Sequence, residues 1–158
     1  LVIRFPYIPG GLTLRENEGW VSFRGKYYTE SQMKEWIRSD DFDDTTLAEA
    51  VKAARINADS LIAPFEKGDL RFYYRGYNYY VVPIRHFDDT KAPTKTSIGR
   101  YGVVRGAEYR IHLTQILRPG APVPPDLTAD LTPIAEEKNV HAIVSVRPIV
   151  VHSSEIHI

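Results

Sequence analysis

The chain has 158 residues, 43% of them hydrophobic and 25% charged, which is enough for one domain with a real core and crowded for two. Twenty basic residues balance twenty acidic ones, so there is no net field of the kind that draws proteins to nucleic acid or anionic membranes. Without cysteine there is no disulfide, thiolate metal site or cysteine nucleophile, and no apolar run approaches the roughly 20 residues of a membrane-spanning helix.

The sequence opens directly on Leu1-Val2-Ile3 without a methionine, as a processed or partial chain does, and on that expectation any targeting segment would lie outside it. Residues 1–11 are apolar but broken by Pro6 and Pro9, each lacking a ladder donor, and read as an edge strand or extended arm. Residues 20–29 read as a strand, a tight turn at Gly25 and a second strand. From Ser31 the apolar period lengthens. Met33, Trp36 and Ile37 predict a short helix with Ser31 at its cap, ended by the acidic residues 39–44. Thr46 and Glu49 are spaced as a capping box, and Leu47, Ala50, Val51, Ala54, Ala58, Leu61 and Ile62 follow at helical spacing, which predicts a helix over residues 46–60.

After Pro64 the pattern returns to strands. Residues 70–75 and 77–86 are rich in aromatic and β-branched side chains on either side of Gly76, and predict a second hairpin. Residues 87–97 are polar and read as an exposed loop. Residues 98–117 carry the clearest strand signal: Tyr109, Ile111, Leu113 and Gln115 alternate with Arg110, His112 and Thr114, and Tyr109, Ile111 and Leu113 are expected in the core. The proline-rich residues 118–126 should run extended over the surface, and residues 127–138 read as loop with a turn of helix. In the last segment Val140, Ala142, Val144 and Val146 share one face opposite His141, Ser145 and Arg147; Pro148 interrupts, and Ile149-Val150-Val151 and Ile156-His157-Ile158 follow.

Few residues invite chemistry. Asp40, Asp41, Asp43 and Asp44 suggest calcium, but the cluster lacks the glycine and closing glutamate of an EF-hand loop, and a helix-capping turn is the better reading. His86 stands near Asp88 and Asp89 with no second histidine at ligand spacing, and His141, His152 and His157 read as structural histidines on strand-like segments. Ser153-Ser154 has no nucleophile turn, and the glycines from Gly99 to Gly106 precede a strand where a phosphate loop precedes a helix. Tyrosines beside arginines in residues 71–85 are the ingredients of a single-strand nucleic-acid platform, but a neutral chain favours half-buried strand tyrosines. The residues describe a mainly β protein and offer no enzymatic machinery.

Four features together resemble a known family. Tyr79 to His86 (YYVVPIRH), Gly99 to Ile116 (GRYGVVRGAEYRIHLTQI), the proline-rich connection and the closing VSVRPIVV are similar to the carboxyl-terminal domain of the Bacteroidales minor-fimbrium type fimbrillins, the subunits of type V pili. The similarity takes in the hairpin over residues 20–29 and the helical segment before Tyr73. It implies a transthyretin-like antiparallel β-sandwich over residues 1–158, with a helical insertion at about residues 31–63, and an amino-terminal sandwich domain outside this chain. It implies a pilin subunit without catalysis, cofactor or metal, exported as a lipoprotein, cleaved, and polymerised by donor-strand exchange into an extracellular fimbria attached to the outer membrane. Its partners would be neighbouring copies and accessory or anchor subunits.

The family's donor segment maps onto residues 149–158, with Ile149, Val150, Val151, Ile156 and Ile158 as the interface. Ile149 and Val151 share one parity, and Ile156 and Ile158 the other, so a continuous donor strand needs a bulge near Ser153-Ser154. On the residues alone the terminus serves equally well as a strand of its own domain; the resemblance favours the donor role. The alternative function is a tip or accessory adhesin of the same fold, binding a host or bacterial glycan or protein through exposed tyrosines at residues 73–80 or through the long loops.

Overall fold

The structure is a computed structural model that describes residues 1–82, 84, 102–126 and 139–148. It is mainly β, with antiparallel sheets and two short helices. The chain forms two compact units: Val2–Tyr80 with Arg118–Pro125, and, among the described residues, Leu1, Val81, Val82, Ile84, residues 102–117, Asp126 and residues 139–148.

In the first unit the amino-terminal strand β1 (Val2–Pro6) leads through a loop to β2 (Trp20–Phe23) and β3 (Lys26–Thr29). These two form the expected hairpin, pairing Trp20 with Thr29 and Phe23 with Lys26 around a two-residue turn. Arg24 and Gly25 both take positive φ, 47° and 82°, the angles that match the twist of paired strands and that glycine supplies without a Cβ clash.

Helix α1 (Glu30–Ser39) follows at once. Thr29, not Ser31, is its cap: the Thr29 hydroxyl accepts the N–H of Gln32, whose side chain accepts the N–H of Thr29. Met33 is buried and Trp36 and Ile37 half-buried, so the face legible in the sequence is the face that packs. Helix α2 (Thr45–Ala53) is likewise capped two residues earlier than Thr46 and Glu49 suggest, because Asp44 Oδ1 accepts from the N–H groups of Thr46 at 3.0 Å and Leu47 at 3.3 Å. The helix also stops short of residue 60. Arg55 turns left-handed at φ 53°, and a separate 3-10 turn, Ala58–Ser60, starts at a cap formed by Asn57.

The acidic cluster is therefore a cap with ion pairs. Asp44 lies 2.8 Å from Lys26 Nζ, and Asp40 2.7 Å from Lys52 Nζ. The hydrogen bond from Lys26, then that from Thr46, hold the Asp44 carboxyl below its ordinary value of 3.8. A carboxyl lowered on folding contributes stability fully above its unfolded pKa and loses it as pH falls from there toward the folded value. Asp44→Asn keeps a capping oxygen but removes the charge, so its melting temperature should fall less steeply than that of the unsubstituted chain below about pH 4. Parallel acid limbs in circular dichroism melts would contradict this.

Strands β4 (Phe65–Lys67) and β5 (Leu70–Tyr73) form a hairpin, and β5 also pairs with β2, giving one antiparallel sheet in the order β3-β2-β5-β4. One face of this sheet carries Val21, Phe23, Leu70 and Phe72, which bury against Met33, Leu47, Val51, Ile56 and Leu61. Each such side chain contributes about 1.5–3 kcal/mol by leaving water. On the other face Trp20 stacks on Tyr73 with ring centres 3.7 Å apart, and the Trp20 indole N–H donates to the Tyr7 carbonyl at 3.0 Å.

The second hairpin expected over residues 70–86 does not form among the described residues. A 3-10 turn, Tyr74–Gly76, with Arg75 at φ 53° and Gly76 at φ 70°, carries the chain out of the four-stranded sheet. Strand β6 (Tyr77–Val81) then pairs with β1 in a separate two-stranded sheet. Tyr7 donates to Gly76 there, so odd-numbered residues of β1 face β6, and Pro6 falls where a missing N–H costs no ladder bond. Phe5 stacks on Tyr80 at 4.6 Å. The expected edge strand is thus an edge strand.

In the second unit β7 (Ala107–Ile116) and β8 (Val140–Pro148) pair antiparallel over their lengths, Ala107 with Pro148 and Ile116 with Val140. Leu1 and Val82 exchange main-chain hydrogen bonds, and Val82, Ile84 and Val140 are buried. Residues 83, 85–101 and 127–138, and with them the loop, Pro83, Arg85 and His86 of the second expected hairpin arm and the start of the 98–117 stretch, lie outside the described residues.

Candidate functional site

The β7–β8 ribbon is the element nearest in sequence to the expected interface residues. Its register places Tyr109 opposite Val146, Ile111 opposite Val144, Leu113 opposite Ala142 and Ile116 opposite Val140, so these side chains share one face. The expected alternation holds along β8, where Ala142, Val144 and Val146 are half-buried between exposed neighbours. Along β7 it holds only in part. Tyr109 and Ile111 are half-buried, but Leu113 is 41% exposed, so it is not a core residue as expected.

A shift of register between Leu113 and Gln115 explains the loss of phase: Thr114 is the extra residue of a bulge, and its hydroxyl donates to the His141 carbonyl at 3.1 Å. The opposite face carries Glu108, Arg110, His112, Ser145 and Arg147, all exposed, with Arg110 and Glu108 paired at 2.6 Å. His112 and His141 are thus wet-face histidines. Among the described residues no cluster of histidines and carboxylates is arranged to hold a metal ion.

Strand β8 ends at Pro148, one residue before the expected donor segment. Ile149, Val150, Val151, Ile156 and Ile158 lie outside the described residues, as do His86, His152 and His157.

The tyrosines are placed by the first unit. Tyr73 and Tyr80 are buried at 1% and 3% exposure, and their hydroxyls donate to the carbonyls of Gly120 and Arg118. Burial pushes the Tyr73 phenol up to about 12 and the Tyr80 phenol higher still, so both remain neutral donors at physiological pH. Tyr77 and Tyr79 lie on the other face of β6, where the Arg4 guanidinium sits 3.9 Å from the Tyr77 ring centre and 5.7 Å from that of Tyr79.

A feature that sequence reading missed lies in the proline-rich segment. Gly120 N–H donates to Asn78 Oδ1 at 3.0 Å, and Tyr79 and Ala121 exchange two main-chain hydrogen bonds at 2.8 and 2.9 Å. Asn78 is fully buried, and its amide donates to the Gly76 carbonyl at 2.9 Å. The proline content signalled a segment without helix that runs over the surface, but Gly120 and Pro122 are buried, and nothing in the composition signalled their partners.

These elements define a strand-built, mainly β protein whose distinguishing features among the described residues are its paired strands. The chain belongs to the family described as major fimbrial subunit protein type IV, fimbrillin, C-terminal, whose model matches residues 71–155. It is therefore a fimbrial subunit, a member of a structural pilin family of surface appendages, and associates with other fimbrial subunits. A comparison with curated proteins found no match. No helix among the described residues is long and apolar enough to cross a membrane.

Proposed function

We propose that the chain is a shaft subunit that polymerises by donor-strand exchange, its residues 149–158 completing a sheet of the neighbouring copy in a fimbria attached to the outer membrane. The observation that carries this reading is the family match, which runs through β8 and on to residue 155. Strand addition suits such a segment: main-chain hydrogen bonds supply affinity, and alternate apolar side chains, here Ile149, Val151, Ile156 and Ile158, fill pockets. The reading includes one fimbrillin carboxyl-terminal type domain with a transthyretin-like sandwich, its helices forming an insertion, and an amino-terminal domain in the precursor. Accessory and anchor subunits are its further partners. The adhesin alternative loses two of its residues, since the hydroxyls of Tyr73 and Tyr80 are engaged inside the protein.

A synthetic peptide of residues 149–158 should compete for the acceptor and slow polymerisation of the intact chain, followed by light scattering. A peptide with Ile149, Val151, Ile156 and Ile158 replaced by serine should not. Equal rates with both peptides would count against the donor role.

A further inference from the structure

Strand β6 has β1 on one side. On the other side its exposed main-chain groups would be a template for a strand from another molecule, the general liability of sheet edges. Within the first unit three of those groups are already engaged. Tyr77 N–H donates to the Tyr74 carbonyl inside the turn, and Tyr79 spends both its N–H and its C=O on Ala121.

Three side chains hold the same short segment in place: Asn78 accepts from Gly120 N–H, Tyr73 donates to the Gly120 carbonyl, and Tyr80 donates to the Arg118 carbonyl. The pairing does not spread beyond Ala121. Pro119, Pro122, Pro124 and Pro125 lack the donors that a second ladder strand needs. Gly120 is required for the approach, since a Cβ there would lie 2.3 Å from the Tyr79 carbonyl oxygen.

We infer that residues 118–121 form a strap that closes the outer edge of β6 against strand addition by a second copy of this chain. The strap satisfies the edge with one bridge, and the prolines in and after it offer no donors for a longer ladder, so the subunit does not pair through β6. This holds whether or not residues 149–158 act as a donor.

The test is Gly120→Ala in the full chain, read by hydrogen exchange at the Tyr79 amide and by light scattering after size exclusion. The added methyl lifts the strap. Tyr79 protection should drop about tenfold or more, the helical circular dichroism should persist, and self-association should rise above that of the unsubstituted chain. Adding Tyr79→Pro, which removes the exposed donor, should return association to the unsubstituted level; donor-strand polymerisation through residues 149–158 has no reason to respond to that substitution. Should Gly120→Ala not fold, Tyr73→Phe with Tyr80→Phe removes two of the holding bonds without adding atoms. Retained Tyr79 protection in the folded variants, an exposed Tyr79 without added association, or association indifferent to Tyr79→Pro would each overturn the inference.

Discussion

Replacing Phe72 by alanine should be among the most damaging single substitutions in the chain. Phe72 is fully buried in β5, between Val21 of β2 and Phe65 of β4, with its ring 5.7 Å from that of Phe65 and 6.4 Å from that of Tyr74. It also fills the space beside Gly19, where a Cβ would lie 2.7 Å from the ring. Neighbours on two strands and the helix-packed core leave little freedom to collapse into the void. Truncation of a core phenylalanine costs about 3–5 kcal/mol, against a typical domain stability of about 5–15 kcal/mol. At about 2–4 °C per kcal/mol for a chain of this size, the helical signal should melt roughly 10 °C earlier. Ile143, 59% exposed on the wet face of the β7–β8 ribbon, is the matched control, and Ile143→Ala should change stability by less than about 0.5 kcal/mol. Similar losses for the two would contradict a core centred on Phe72.

What the sequence disclosed and what it hid divides along the range of the interactions. The face of α1 was legible because Met33, Trp36 and Ile37 all pack against the same cluster, and the β2–β3 hairpin because Arg24-Gly25 satisfies a local turn requirement. Strand β4 went unread: three residues, two of them charged, make no period, and only the Gly68-Asp69 turn marked it. The β5–β6 hairpin was misread because aromatic runs on either side of Gly76 look alike whether the strands pair or part. The deciding facts are the left-handed Arg75 and a partner for β6, β1, that lies more than seventy positions away. Helix α2 ended early for the same local reason, a left-handed Arg55 that no composition rule marks.

For the site the division is sharper. Nothing in composition or spacing singles out residues 149–158; their two short apolar runs suit an intramolecular strand as well as a donor. The donor reading came from the resemblance, and the family match supports its coarse part, a fimbrial subunit. The strap was invisible because its contacts are almost all main-chain or through a single buried asparagine, Asn78, and carry no side-chain pattern of their own.

The donor role predicts the second large effect. A strand that completes a neighbour's sheet contributes its hydrogen bonds and its burial to the polymer and none to the isolated subunit. Removing residues 149–158 should therefore abolish assembly, while the thermal unfolding of the monomer, followed through the helices and the Trp20–Tyr73 stack, shifts by no more than about 1–2 °C. A strand of the chain's own sheet would behave oppositely, because its loss would expose an edge and an apolar face within the monomer. The most direct measurement is electron microscopy and sedimentation of the chain with and without residues 149–158 under conditions where the intact chain polymerises. The account predicts filaments from the intact chain and only folded monomers from the shortened one; filaments of normal length from the shortened chain would contradict it.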